Sequence, residues 1–208
     1  IDEPARIAVV GLGAGTLATY GRPGDYYCFY EINPDVIEIA QKYFSYLRDS
    51  PAKTQLELGD ARIRMERQQA QKYDLIALDA FTGDAIPVHL LTKEAFEVYF
   101  RHLRDPNRGI IAVQATNTYV DLLPVAHQLA AHFQSEVEAI PVLWPKVVTR
   151  HFNDWGMVRS DWILLTRNTD FLTSPPILEH GQDVSELVPE KMFRLWTDQY
   201  SNLFQILK

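Results

Sequence analysis

The architecture of this chain follows from one stretch, Ile7-Ala-Val-Val-Gly-Leu-Gly-Ala-Gly-Thr16. Its first four residues form an apolar run that is long enough for a buried strand. Glycines then alternate at Gly11, Gly13 and Gly15, and this segment is called the glycine turn below. Because glycine has no Cβ, the backbone there can bend sharply and a ligand can approach it closely. The residues from Leu17 onward can begin a helix, so the stretch predicts a strand, a ligand-binding turn and a helix in succession.

A second apolar strand follows, and it ends in an acid. The strand is Tyr26-Tyr-Cys-Phe-Tyr30 and the acid is Glu31. A carboxylate at this position suits a ribose, because it can accept hydrogen bonds from both hydroxyl groups. Strand, glycine turn, helix, strand and acid in this order predict the first half of a nucleoside-binding, Rossmann-like sheet.

Length and composition are typical of a globular protein. The 208 residues suffice for one α/β domain with a sizeable core, and the apolar fraction is 47%. The net charge of −7 argues against a nucleic-acid partner. The single cysteine, Cys28, excludes an internal disulfide framework and indicates a buried apolar residue.

The sequence shows neither a signal-peptide pattern nor an apolar run of membrane-spanning length, so we expect a cytoplasmic chain. It begins at Ile1 without a methionine, which leaves open an upstream N-terminal or membrane domain. In that case the chain would be the soluble part of a membrane protein. Pairing of two copies as a homodimer also stays open.

Strand-like and helix-like patterns alternate along the rest of the chain. This alternation predicts a seven-stranded, mostly parallel sheet with helices on both faces and an antiparallel last strand. The strands predicted after the first two are 54–58, 73–78, 109–113, 137–142 and 162–165. The predicted helices are one capped by Asn33, then 62–71, 90–103 and 122–133, and a long loop is expected at 145–159.

The run Ser174-Pro-Pro176 marks a break in the pattern. It predicts a nucleoside-binding domain at 1–176 and a C-terminal helical appendage at 177–208, packed on the same domain. Within the appendage a helix is predicted from Pro189 onward.

Acids follow the predicted parallel strands at their carboxyl ends, where ligands bind in open α/β sheets. Glu31 ends the second strand, Asp60 follows the third and Asp79 follows the fourth. A single acid at such a position is usually the N-cap of the next helix, but three of them beside a glycine turn predict a ligand site. Asp60 suits an exocyclic amine such as that of adenine, and Asp79 would face the reacting end of the ligand.

Several motifs together carry a family resemblance. They are Gly11-Leu-Gly-Ala-Gly15, Glu31-Ile-Asn-Pro, Gly59-Asp-Ala61, Tyr73-Asp-Leu-Ile-Ala-Leu-Asp79, Pro87-Val-His-Leu-Leu-Thr-Lys-Glu-Ala-Phe96, Ser160-Asp-Trp-Ile-Leu-Leu-Thr166 and Leu195-Trp-Thr-Asp-Gln-Tyr-Ser-Asn-Leu203. With them, nearly the whole chain resembles the spermidine synthase (polyamine aminopropyltransferase) branch of the class I S-adenosylmethionine-dependent methyltransferase fold. The segment from Asp79 to Phe96 is the part most specific to this branch.

The resemblance implies a set of donor-binding residues. The glycine turn, Gly11, Gly13 and Gly15, would hold the aminoacyl or aminopropyl part of a nucleoside. Glu31 would hold the ribose hydroxyls, and Asp60 with Ala61 would hold the adenine. The implied donor is decarboxylated S-adenosylmethionine, or S-adenosylmethionine itself, and no metal is expected.

The acceptor side of the site is implied in the same way. Asp79 matches the catalytic aspartate of the family. Since only the free-base nitrogen of a diamine can attack the carbon beside the sulfonium, a carboxylate there can orient that nitrogen and accept its proton. Thr82 occupies the position of a second family aspartate and Asp84 lies nearby, so both are assigned to binding a small-molecule polyamine.

Departures from the family pattern keep other functions open. Ala14 stands where the family usually has an aspartate that contacts the amine of decarboxylated S-adenosylmethionine, which favours methyl transfer as the runner-up. The N-terminal β-domain of the family, which supplies a glutamine and a tyrosine to the site, does not occur in this sequence. A NAD-dependent oxidoreductase is an alternative, because Glu31 would serve NAD equally well. A non-catalytic nucleoside-binding domain of a larger membrane protein is the third.

Overall fold

The structure is a computed structural model, and it describes residues 3–80, 87–135, 146–150, 160–183 and 193–208. The strands in these ranges are β1 Arg6–Val10, β2 Tyr26–Glu31, β3 Lys53–Leu58, β4 Leu75–Leu78, β5 Ile110–Gln114, β6 Lys146–Arg150, β7 Ser160–Thr166 and β8 Gly181–Asp183. They form one sheet in the order β3-β2-β1-β4-β5-β7-β6-β8.

The first five strands of the chain run parallel to one another. β1 lies between β2 and β4, so that Val10 pairs with both Tyr30 and Leu78. The strand order therefore reverses at β1, and the carboxyl ends of β1, β2 and β4 meet where open α/β sheets bind ligands. The predicted α/β, Rossmann-like fold is confirmed.

The other side of the sheet is antiparallel. β7, which contains the last predicted strand, runs antiparallel to β5 as expected, and β6 and β8 continue the sheet beyond it. Within the described residues the sheet has eight strands, and two of them, β6 and β8, are not among the seven expected. The short β8 has no apolar alternation that a sequence pattern could reveal. The prediction of a loop at 145–159 is wrong for residues 146–150, which form β6. The residues Val147-Val-Thr149 are β-branched and suit a strand. The strand predicted at 137–142 lies outside the described residues.

Helices cover both faces of the sheet, as predicted. Alternate residues of β1 show this: Ala8 and Val10 belong to one buried cluster, while Ile7 and Val9 belong to the other. The helices are α1 Pro34–Tyr43, α2 Tyr46–Asp49, α3 Ala61–Arg67, α4 Lys93–His102, α5 Leu123–Ser135, α6 Thr169–Leu172 and α7 Pro175–His180, with 3-10 helices at Thr16–Tyr20, Val88–Leu90 and Leu203–Ile206. None of the helices in the described ranges is long and apolar enough to cross a membrane.

The C-terminal segment differs from the prediction. Residues 193–208, all of them described, contain the 3-10 helix Leu203–Ile206 in place of an α-helix from Pro189 onward. Trp196 and Ile206 are buried in the larger core cluster, and the backbone N–H of Lys93 donates to the Trp196 carbonyl at 2.9 Å. The segment packs through single buried side chains and backbone hydrogen bonds to other elements. It does not pack through one continuous helical face. The boundary at residue 176 stays a prediction.

Candidate functional site

The glycine turn connects β1 with the ends of two neighbouring strands. The backbone N–H of Gly11 donates to the Tyr30 carbonyl at 2.8 Å, and the N–H of Asp79 donates to the Val10 carbonyl at 2.8 Å. Gly11 has φ of 96°, and a Cβ added there would lie 2.3 Å from the carbonyl oxygen of Asp79. No side chain fits in that distance, so the close approach of the two backbones requires glycine.

Glu31 holds the turn from the end of β2. Its side chain is buried, Oε2 accepts from the backbone N–H of Leu12 at 3.0 Å, and Oε1 accepts from the N–H of Asn33 at 2.9 Å. Each carboxylate oxygen has two acceptor sites, so one site on each oxygen is left for a ligand hydroxyl. The same acid can therefore fix the turn and bind a ribose.

Asp60 has a structural role as well as a place in the site. It is the N-cap of α3, and its Oδ1 accepts from the backbone N–H of Ile63 at 2.9 Å. Its Oδ2 lies 2.8 Å from Nε2 of His89. Asp60 can therefore cap α3 and also present its carboxylate to the cavity. The two roles do not exclude each other.

Asp79 follows β4, and its carboxyl group opens onto the site. Within the described residues no hydrogen bond or ion pair reaches this carboxyl group. Asp79 is an exposed residue in the cavity wall, and the surrounding chain removes only part of the hydration of its carboxyl group, which raises its pKa to about 6. An acid with no partner and a raised pKa is suited to exchange a proton with a ligand near neutral pH.

These residues surround a cavity of about 430 Å³, within the range of small-molecule sites. It is lined by Val10, Gly11, Leu12, Gly13, Tyr30, Glu31, Ile32, Asn33, Val36, Gly59, Asp60, Ala61, Asp79, Ala80, Pro87, His89 and Leu90. Nearly all the residues assigned to the nucleoside are therefore brought together, together with Asp79. Gly15 is the one residue assigned to the nucleoside that does not line the cavity. It is buried, and a Cβ added there would lie 3.0 Å from Cγ of Leu47. Thr82 and Asp84 lie outside the described residues.

A second, more open cleft of about 600 Å³ adjoins the first, and His89 lies in the wall of both. The cleft is lined by Arg62, Val88, His89, Thr92, Thr197, Asp198, Gln199, Tyr200 and Ser201.

The polar pattern of α3 predicts that Arg62 is solvated, and this prediction is wrong. Its side chain is 13% exposed and forms a bidentate ion pair with Asp198, whose oxygens lie 2.6 and 2.5 Å from the guanidinium nitrogens.

Gln114, at the carboxyl end of β5, is a further residue that the sequence does not single out. β4 and β5 are in register at Leu78 and Val113, so Gln114 occupies the position beside Asp79. Its Oε1 is buried and has no hydrogen-bond partner within the part of the chain that the structure describes. A buried acceptor without a partner is rare and points to a missing donor.

In the same described ranges, no group of three or more His, Cys, Asp or Glu side chains is arranged to hold a metal ion.

Comparison with known sequences gives partial matches. No family model matches the chain. It is 41% identical over 97 residues to a polyamine aminopropyltransferase from Vibrio vulnificus, covering 44% of this chain and 32% of that protein. It is 34% identical over 120 residues to an N-terminal histidine N-methyltransferase from Emericella nidulans, covering 54% of this chain and 20% of that protein. The matches thus span a third or less of the length of these curated relatives.

Solved structures match over more of the chain. Spermidine synthase from Thermotoga maritima aligns with a TM-score of 0.52 at 14% identity, covering 95% of this chain and 63% of that one. Human methyltransferase-like protein 13, in complex with SAH, aligns with a TM-score of 0.58 at 19% identity, covering 95% and 86%. A probable spermidine synthase from Corynebacterium glutamicum gives 0.60 at 21% identity, covering 83% and 60%. The chain therefore has the class I S-adenosylmethionine-dependent methyltransferase fold, with partial homology to polyamine aminopropyltransferases.

Proposed function

We propose that this spermidine synthase-like chain moves an aminopropyl group from decarboxylated S-adenosylmethionine to a di- or polyamine. The observation that carries the proposal is the Asp79 carboxyl group, which has no partner within the described residues and a pKa raised to about 6, at a cavity that also contains the glycine turn and Glu31. The partial identity with a polyamine aminopropyltransferase favours the same reaction.

The proposed donor fits the residues around the cavity. The backbone of Gly11 and Gly13 leaves room for the chain on the sulfonium, and the free acceptor sites of the Glu31 carboxylate suit two ribose hydroxyls. Asp60 and Ala61, at the start of α3, line the same cavity, and the Asp60 carboxylate suits the exocyclic amine of adenine. The donor is a substrate of this reaction, and the chain supplies its binding and orientation.

The chemistry requires one proton acceptor. The free-base nitrogen of the amine attacks the methylene carbon beside the sulfonium, so that a C–N bond forms and the C–S bond breaks. The sulfur keeps the electron pair and leaves as a neutral thioether nucleoside. The proton lost by the nitrogen goes to the Asp79 carboxylate, which also orients the nitrogen for attack. Because the sulfonium is already an activated leaving group, holding the two substrates together supplies much of the remaining acceleration.

Gln114 suits the acceptor side of the same site. It is the last residue of β5 and lies in register beside Asp79, the residue after β4; its buried Oε1 is an uncharged hydrogen-bond acceptor next to the cavity, although Gln114 is not among the residues that line it. An amine bound between the two would donate one N–H to each of them. We assign Gln114 to acceptor binding, alongside the earlier assignments of Thr82 and Asp84.

Methyl transfer from S-adenosylmethionine is the second candidate. Ala14 favours it, because the glycine turn then has no acid to contact the amine of a decarboxylated donor. The partial identity with an N-terminal histidine N-methyltransferase points in the same direction. The two candidates share the nucleoside site and differ in the group that is transferred.

Product analysis separates the two candidates. The chain is incubated with putrescine and either decarboxylated or intact S-adenosylmethionine, and the amines are identified by mass spectrometry. Aminopropyl transfer predicts spermidine from the decarboxylated donor, lost in Asp79→Asn and kept in Asp170→Asn, a matched change at an exposed acid of α6. Methylated amine from the intact donor, without spermidine from the other, would replace the first candidate by the second. Equilibrium binding that prefers the intact donor would do the same.

A further inference from the structure

The Asp60 carboxylate is held at both of its oxygens. Oδ1 accepts from the Ile63 backbone N–H, and Oδ2 is bonded to Nε2 of His89. An ionised carboxylate can only accept hydrogen bonds, so His89 Nε2 carries the proton in this contact. The Asp60 side chain is 17% exposed, which leaves little water to compete with these two bonds. The carboxylate therefore faces the nucleoside cavity in one fixed orientation.

His89 is itself held in position through its backbone. Its carbonyl oxygen accepts from Nη1 of Arg62 at 3.0 Å, and Arg62 is fixed by the bidentate pair with Asp198. Arg62 also bonds the Thr92 hydroxyl at 3.3 Å, and that hydroxyl donates to Asp198 at 2.8 Å. The C-terminal segment and α3 thus hold the short 3-10 helix that carries His89. Although half of its side chain is exposed, His89 does not lie on a freely moving loop.

We infer that His89 is a positioning residue that sets purine specificity, because it holds Asp60 as an acceptor toward the base. This inference rests on the proposed nucleoside function. The amino group of adenine can donate to a carboxylate. A carbonyl oxygen at the same ring position, as in hypoxanthine, would place two acceptors against each other, and a site built around a hydrogen bond rejects such an analogue strongly.

Without His89 the carboxylate loses this restraint. Of the side-chain bonds within the described residues, only the cap bond to Ile63 would then fix Asp60, and the freed oxygen could turn away or take up water when an oxo purine enters. Discrimination between the two bases would fall, since it depends on the acceptor being held in place. Binding of the ribose by Glu31 would be unaffected, because Glu31 makes no contact with His89 among the bonds of the described residues.

The test compares two nucleosides that differ at this one ring position. Binding of 5′-methylthioadenosine and 5′-methylthioinosine to the chain is measured by calorimetry for the wild type, His89→Ala and His89→Gln. We expect the wild type to prefer the adenine compound, and His89→Ala to reduce that preference by about tenfold through weaker adenine binding. His89→Gln keeps an N–H donor and should restore most of the preference.

The outcomes separate this inference from the proposed function. An unchanged preference in His89→Ala, or an equal loss of affinity for both nucleosides, overturns the inference while the nucleoside site stands. A wild-type chain that binds neither compound overturns the proposed function and the inference with it. Because His89 is half exposed, thermal melting of both variants should match the wild type closely.

Discussion

The backbone N–H of Leu12 donates a 3.0 Å hydrogen bond to Oε2 of Glu31, so the acid at the end of β2 holds the middle of the glycine turn. The other oxygen of Glu31 accepts from the N–H of Asn33, the N-cap of α1. One carboxylate therefore connects the turn, the second strand and the next helix. A change at Glu31 should alter the folded state and nucleoside binding together.

Glu31→Gln tests this double role. Glutamine keeps the length of the side chain and one acceptor oxygen, but its NH2 group would face one of the two backbone N–H donors. A buried donor without an acceptor costs about 1–3 kcal/mol, so the free energy of unfolding should fall by that amount. Affinity for methylthioadenosine should fall by at least about tenfold. Denaturant unfolding and calorimetry measure the two effects. The exposed Glu38→Gln on α1 is the matched control, and equal effects of both changes would contradict the assignment.

Gly11 and Gly13 should respond differently to alanine, although they belong to the same motif. At Gly11 an added Cβ would lie 2.3 Å from the Asp79 carbonyl oxygen, so the turn and β4 must separate. At Gly13 nothing lies within 4 Å of an added Cβ, and only its φ of 52° opposes the change. A left-handed conformation costs a non-glycine residue about 1–2 kcal/mol.

We therefore expect Gly13→Ala to lower the free energy of unfolding by about 1–2 kcal/mol and Gly11→Ala to lower it by clearly more. Gly11→Ala should also displace Asp79 and abolish transfer. Thermal melting of both variants, measured side by side, checks the order. If Gly13→Ala were the more damaging change, the close approach of Gly11 to Asp79 would be wrong.

The ionised Asp79 carboxylate should lower the free energy of unfolding at neutral pH. Its pKa is raised from the ordinary value of 3.8 to about 6, because the surrounding chain removes part of the hydration of a carboxyl group that lacks a partner within the described residues; since Asp79 is an exposed residue, the effect on stability should be small. Between these two values the folded chain binds the proton more readily than the unfolded chain. Wild-type stability therefore falls as the pH rises through this window, and it stays lower above it.

Asp79→Asn removes this charge, so the variant should melt at a higher temperature than the wild type at pH 7.5. The difference should shrink as the pH is lowered from 6 towards 3.8, and it should vanish below 3.8, where the wild-type acid is protonated in both the folded and the unfolded chain. Melting curves across this range, with Asp170→Asn as the control, test the prediction. A variant that melts lower than the wild type at pH 7.5 would mean that the carboxylate has a stabilising partner.

The sequence predicts most of the parallel half of the sheet, because each element there has a local signal. β1 and β2 are apolar runs, the turn is marked by glycine, and the acids at the strand ends lie where the chain order implies. The antiparallel side is harder. β6 has charged ends beside a proline, and β8 is three residues long, so their pairing depends on neighbours rather than on their own pattern.

The functional site could be predicted only in part, because some of its contacts join residues that are far apart in the sequence. Arg62 and Asp198 are 136 positions apart, and nothing in the polar pattern around either residue indicates the other. The contact between His89 and Asp60 likewise joins separate elements, the 3-10 helix Val88–Leu90 and the start of α3. Gly15 shows the opposite case: the motif assigns it to the ligand, whereas its φ of 84° and the close packing of the Leu47 side chain explain why that position is glycine.

His102, at the end of α4, should make the fold sensitive to acid. Its ring is fully buried, Nε2 donates to the Met65 carbonyl at 2.8 Å, and Nδ1 accepts from the Gln71 N–H at 3.2 Å. The ring must therefore be neutral, and its burial lowers its pKa below the ordinary value of 6.5. As the pH falls below 6.5 the unfolded chain takes up a proton more readily than the folded chain, so stability decreases.

Replacing His102 with glutamine removes this source of pH dependence. At pH 7.5 the variant should lose about 1–2 kcal/mol of unfolding free energy, since the amide cannot reproduce both hydrogen bonds of the ring. The difference from the wild type should become smaller at pH 5.5, because only the wild type is weakened by protonation of this histidine. The opposite contribution of Asp79 is present in both chains and cancels in the comparison. Denaturant unfolding at the two pH values measures the difference. A difference that is the same at both pH values would mean that His102 has the same pKa in the folded and unfolded chains, and the acid sensitivity would then have to come from another group.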